Sequence, residues 1–110
     1  MISQAAIRRY VQQLAREFSP ERVILFGSYA TGKATEDSDV DLLVIMQHEK
    51  PRNVEQAVEI GIRLHARFPL DLLVRRPTEL RRRLEEGDSF LRDAVTDGKV
   101  LYQTERQSVA

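Results

Sequence analysis

Ile7, Tyr10, Val11, Leu14 and Phe18 recur at helical spacing, which predicts an amphipathic helix capped by Ser3 and ended at Ser19-Pro20. Arg22 to Phe26 (RVILF) is a short β-branched and aromatic run suited to a buried strand. Gly27 to Ser38 is rich in Gly, Thr, Ser and charge, and reads as a loop or a short helix with a loop. Val40 to Met46 is a second strand. After the break HEKPRN, Asn53 with Gln56 resembles a capping box for a helix running to about Arg67. Phe68-Pro69 breaks that helix, and Leu70 to Val74 forms a third strand.

Beyond Arg75-Arg76-Pro77, Thr78 is expected to cap a short helix that Gly87 ends. Asp88 or Ser89 starts another, closed by Gly98, and Val100 to Tyr102 is a short apolar tail segment. The last eight residues, QTERQSVA, look frayed. The order α-β-loop-β-α-β-α-α predicts an α/β (α+β) domain, a small sheet with helices packed on it. No hairpin turn joins the strands, so the pattern leaves their directions open. The folded domain is drawn at 1–104, with 105–110 as a flexible C-terminal tail.

At 110 residues, 42% hydrophobic and 31% charged, the chain fits one ordinary globular domain. Its longest apolar runs, Val23 to Phe26 and Leu42 to Met46, fall far short of a membrane span. The start MISQAAIRRY lacks the apolar stretch of a signal peptide. There is no cysteine, which removes disulfides, thiolate zinc sites and a thiol nucleophile and fits a cytoplasmic protein. Seventeen basic residues balance seventeen acidic ones, so direct nucleic-acid binding is not expected. The basic residues are mostly arginine. Five of them, Arg75, Arg76, Arg81, Arg82 and Arg83, form a local patch with three readings: a solvated helix face paired with Glu79, Glu85 and Glu86, a partner-docking surface, or a nucleic-acid contact.

The chemistry concentrates in FGSYATGKATEDSDVDLLVIM. On a strand, residues i and i+2 share a face about 7 Å apart, so Asp39 and Asp41 can converge, on the side of Leu43 and Ile45. Two neighbouring carboxylates repel unless a divalent cation neutralises them, and Mg²⁺ favours such oxygen ligands. Asp71 interrupts the otherwise apolar LDLLV. If strands two and three are neighbours, it completes a three-carboxylate cluster able to hold two cations about 4 Å apart. Taken singly, Asp39 reads as a turn cap and Asp71 as a partner for an Arg such as Arg75; taken together, they do not. Gly27-Ser28, directly after a strand, offers close backbone approach, a hydroxyl and an N–H to a phosphate.

Gly27-Ser28, ten intervening residues, Asp39-Val40-Asp41 and a later Asp71 together resemble the DNA polymerase β-like nucleotidyltransferase superfamily. Ala30, Gly32, Ala34, Ser38, Leu42 and Val44 agree with it, and the short length is similar to its minimal nucleotidyltransferase group, partners of HEPN ribonuclease toxins. The resemblance implies a polymerase β-like palm with a small mixed sheet. It implies two Mg²⁺ ions on Asp39, Asp41 and Asp71 as metal and catalytic residues, with Asp71 helping to activate the acceptor. Gly27, Ser28 and Lys33 are the expected nucleotide-binding residues, with ATP as donor. Many members carry Arg where this chain has Thr31; Lys33 is the nearby cation that could substitute.

Little chain remains for an acceptor pocket, so the acceptor is expected on a partner. By resemblance this is a type VII toxin–antitoxin antitoxin that transfers AMP to a tyrosine of a HEPN toxin, in a hetero-oligomer with it. The alternative is a non-catalytic antitoxin or adaptor that neutralises by binding alone. His48 and His65 are too few and too scattered for a metal site, and they read as structural. Tyr10, Tyr29 and Tyr102 read as packing residues, although Tyr29 lies within the motif loop.

Overall fold

A computed structural model describes residues 1–104. Four strands form one sheet in the order β3-β2-β1-β4: β1 (Arg22–Phe26), β2 (Val40–Ile45), β3 (Leu70–Arg75) and β4 (Lys99–Gln103). β1 runs antiparallel to β2 and to β4, while β2 and β3 are parallel, so the sheet is mixed. The helices are α1 (Gln4–Phe18), α2 (Ser28–Thr31), α3 (Asn53–Arg63), α4 (Pro77–Glu85) and α5 (Ser89–Asp97). Among the described residues no helix is long and apolar enough to cross a membrane.

Strand alternation divides the core in two. Val23, Leu25, Val40, Leu42 and Val44 face α1 and α3, where Ile7, Val11, Leu14 and Ile60 cover them. Ile24, Leu43 and Ile45 face the other way, under Leu80 of α4 and Leu91 and Ala94 of α5. Burial on both faces explains why β1 and β2 read as continuous apolar runs. Tyr10 packs edge-on against Phe68, with ring centroids 5.9 Å apart, and its hydroxyl donates to Leu64 O at 3.0 Å. Burial pushes that phenol up to about 12.

The α1 and β1 expectations hold: Ser3 Oγ accepts from Ala6 N, and Ser19 closes the helix in a left-handed conformation. Other boundaries differ, each for a local reason. α3 stops at Arg63, four residues short of expectation, as buried Leu64 turns its carbonyl to Tyr10. Its capping box is also displaced by one residue. Glu55 accepts from Arg52 N at 3.0 Å, while Asn53 is drawn to His48 and Glu79. Thr78 lies inside α4, because Pro77 already fits the first helical turn. The apolar tail segment is a fourth strand, an edge strand held by backbone pairing to β1. Gln103 pairs with Arg22 and Thr104 N donates to Glu21 O at 2.9 Å, so the ordered chain includes the first two residues expected to fray. The expected tail, 105–110, lies outside the described residues.

Candidate active site

β2 and β3 are neighbours, and their register sets Asp41 opposite Asp71. β1 sets Phe26 on the other side of Asp41. A row Phe26–Asp41–Asp71 therefore crosses three strands at one end of the sheet, on the face that α4 and α5 cover farther along. The two carboxyls lie within hydrogen-bonding reach, and Asp41 is pushed up to about 6. Partial burial is the largest cause, followed by the charge of Asp71, the hydrogen bond that pair shares, and the charge of Asp39. A divalent cation between Asp41 and Asp71 would relieve the repulsion that helps to raise Asp41.

Asp39 sits one residue before the ladder, exposed, in the segment leading into β2. Val40 N donates to Pro69 O at 2.9 Å, which ties that segment to the entry of β3. Among the described residues no three His, Cys, Asp or Glu side chains already stand as a closed metal cluster. What the fold brings together is an Asp41–Asp71 pair with the Asp39 charge beside it. This all-oxygen donor set, short of positive charge, fits Mg²⁺ with water or phosphate filling its other positions. Arg75 is at the far end of β3, with Nη1 on Val74 O at 2.7 Å, so the alternative pairing of Asp71 with Arg75 is not formed.

Gly27 packs its backbone against Asp41. A Cβ at Gly27 would collide with Asp41 Oδ2, and φ of 74° with ψ of −153° is a conformation that only glycine adopts readily. The chain then makes the single turn α2, whose first N–H groups are left without helical partners. Ser28 stands at its start, next to the Gly27 that packs on Asp41. Lys33 follows the turn, its backbone N on Ser28 O at 3.0 Å, and it is exposed. Thr31 turns its hydroxyl back onto Gly27 O at 3.3 Å. The rest of the loop is self-tied through Thr35 and Ser38, with Thr35 N donating to Ser38 Oγ at 2.8 Å.

His48 is structural: its Nδ1 accepts from Lys50 N at 3.2 Å, which leaves Nε2 to donate to Asn53 Oδ1 at 2.8 Å. Tyr29 is a packing residue whose hydroxyl accepts from Ile2 N at 3.1 Å, and Tyr102 packs on the α1 side. His65 differs from expectation, because α3 ends before it and leaves it exposed. In the arginine patch, Arg83 pairs with Asp88 at 3.0 Å rather than with Glu85 or Glu86. Arg76 is taken up by Lys50 O at 2.6 Å, while Arg81 and Arg82 are exposed. Phe26 was not legible as a site residue, since only the β1–β2 register places it beside Asp41.

The family pattern described as "Nucleotidyltransferase domain" matches residues 7–102. The chain belongs to the nucleotidyltransferase domain family. This nucleotidyltransferase is 27% identical over 104 residues to "Putative protein adenylyltransferase MJ0604" of Methanocaldococcus jannaschii, covering 93% of this chain and all of that one. In fold it is similar to a "putative nucleotidyltransferase" from Sulfolobus solfataricus, with a TM-score of 0.64 at 25% identity over 93% of this chain and 81% of the other. A toxin–antitoxin structure with AMP-PNP shares the fold at a TM-score of 0.58 and 24% identity, over 93% of this chain and 77% of that one.

Proposed function

We propose that this nucleotidyltransferase is a protein adenylyltransferase acting as an antitoxin. It moves AMP from ATP to a tyrosine of a cognate HEPN-type toxin, with which it forms a hetero-oligomer in the cytoplasm. The observation that carries the reading is the in-register Asp41–Asp71 pair against the Gly27-Ser28 turn. The protein adenylyltransferase name of the Methanocaldococcus relative supports a protein acceptor. The toxin–antitoxin neighbour with AMP-PNP supports both the nucleotide and the kind of partner.

In this reading the acceptor oxygen attacks the α-phosphorus of ATP. The new P–O bond forms as the bond from the α-phosphorus to the α–β bridging oxygen breaks, and pyrophosphate leaves. The hydroxyl proton passes to the Asp71 carboxylate. Gly27 and Ser28 hold the terminal phosphates through backbone N–H groups and the Ser28 hydroxyl, with Lys33 as the available cation. Asp39, Asp41 and Asp71 would hold two Mg²⁺ ions, which would supply neutralisation of charge on the phosphates and the developing phenolate. The chain's own contribution is positioning: the strand register holds the carboxylates, and Gly27 lets the backbone close on Asp41.

The second reading, neutralisation by binding alone, is favoured by Thr31. Its hydroxyl is used within α2, where many relatives of this motif carry an arginine. One experiment separates the two. The protein and its co-purifying partner are incubated with α-labelled ATP and Mg²⁺, beside the Asp39→Asn and Asp41→Asn variants. Label on the partner that disappears in both variants supports the transferase. Inhibition of the partner that persists without label supports the binding module.

A further inference from the structure

A groove of about 580 Å³ runs between the first turns of α1 and the segment joining α3 to β3. Arg9 and Gln13 stand on its α1 side, and His65 and Arg67 on the other. Tyr10 and Phe68, packed edge to face, lie between them. Among the described residues, no acidic residue lines it. Among the described residues neither Arg9 nor Arg67 is engaged in an ion pair, unlike Arg52, Arg63, Arg83 and Arg92. The whole chain is neutral, so this groove is a local separation of charge.

Both walls are joined to segments that carry candidate site residues. On one side Ile2 N donates to Tyr29 Oη at 3.1 Å, and Tyr29 follows Ser28 directly. On the other, Phe68 is joined through Pro69 to Asp71, and Pro69 O accepts from Val40 N beside Asp39. The groove lies on the α1 and α3 face of the sheet and the carboxylates on the other. A chain in the groove would therefore have to pass round the end of β2 and β3 marked by Val40 and Pro69 to present a tyrosine to them. Cationic rims over an aromatic floor suit an acidic segment with apolar or aromatic side chains.

We propose that this groove docks an acidic segment of the acceptor protein next to its reacting tyrosine, with Arg9 and Arg67 as the charged anchors. The inference rests on the adenylyltransferase reading for the tyrosine alone; the groove's preference for acidic chain is read separately. A fluorescein-labelled random Glu-Tyr copolymer serves as the probe, followed by fluorescence anisotropy with the full chain and no nucleotide. Expected are salt-sensitive binding and a loss of roughly tenfold or more in the Arg9→Glu/Arg67→Glu double variant. Arg81→Glu, the same charge change on α4, should leave affinity within about twofold. A Lys-Tyr copolymer should not bind.

An equal loss with Arg81→Glu would overturn the proposal, because net charge alone would then explain binding. It is overturned likewise if the copolymer does not bind, or if labelled oligoadenylate RNA binds through Arg9 and Arg67 in its place. Both arginines are exposed, and circular dichroism melts check that the double variant folds as the parent does. Failure of the transferase reading is seen elsewhere, as absent label on the partner while copolymer binding persists.

Discussion

Replacing Asp41 by Asn is expected to stabilise the metal-free protein while abolishing nucleotidyl transfer. The Asp41 carboxyl rises from 3.8 to about 6 on folding, first through burial and then through Asp71 and Asp39. A raised acid opposes folding only when ionised. Its penalty is absent below the unfolded value, grows between about pH 4 and pH 6, and is complete above that. A shift of about 2 units corresponds to roughly 3 kcal/mol as a ceiling. Asp41 is only partly buried, and solvent screening reduces this to about 1 kcal/mol. Asn carries no charge and can still donate to Asp71. For a domain of this size about 1 kcal/mol corresponds to roughly 4–8 °C in Tm. Thermal melts by circular dichroism in EDTA should show Asp41→Asn melting higher by that amount at pH 7.5, with the gain shrinking toward pH 4. A variant that melts lower at pH 7.5, or a gain independent of pH, would refute the account of the carboxylate pair.

Adding Mg²⁺ at pH 7.5 should raise the Tm of the wild type and leave Asp41→Asn nearly unmoved, a difference that scanning fluorimetry resolves. Gly27→Ala places a methyl group against Asp41 Oδ2 in a backbone conformation hostile to side chains; urea titration should show a loss of roughly 2–3 kcal/mol. Tyr10→Phe leaves the Leu64 carbonyl without its donor, and the same titration should show a loss of roughly 1–2 kcal/mol with transfer activity retained. Thr31→Arg adds a cation beside the phosphate turn and should tighten AMP-PNP binding by roughly tenfold in calorimetry; unchanged affinity would mean that Lys33 already serves.

Much of the fold is visible in the chain because its signals are local. The Ile7-to-Phe18 periodicity and the RVILF run mark α1 and β1 to their observed limits. β4 escaped because it is an edge strand: Val100 is exposed, Leu101 and Tyr102 are half-buried, and its stability comes from pairing with β1. The end of α3 depends on a hydrogen bond between Leu64 and Tyr10, fifty-four residues apart, which no local pattern encodes. At the site, Asp71 stood out as an acid in an apolar strand, but its meeting with Asp41 required knowing that β2 and β3 pair in parallel. The collision that makes Gly27 indispensable, and the gathering of Arg9 with Arg67, belong to the tertiary structure alone.

The central claim is that Asp41 and Asp71 form one site for transferring a nucleotidyl group to a partner protein. Intact-mass spectrometry of the co-expressed partner tests it most directly, comparing cells that carry the wild type, Asp41→Asn or Asp71→Asn. The account predicts a partner heavier by one or more AMP groups on a tyrosine with the wild type, and an unmodified partner with either variant. An unmodified partner that the wild type and both variants neutralise equally well would contradict it.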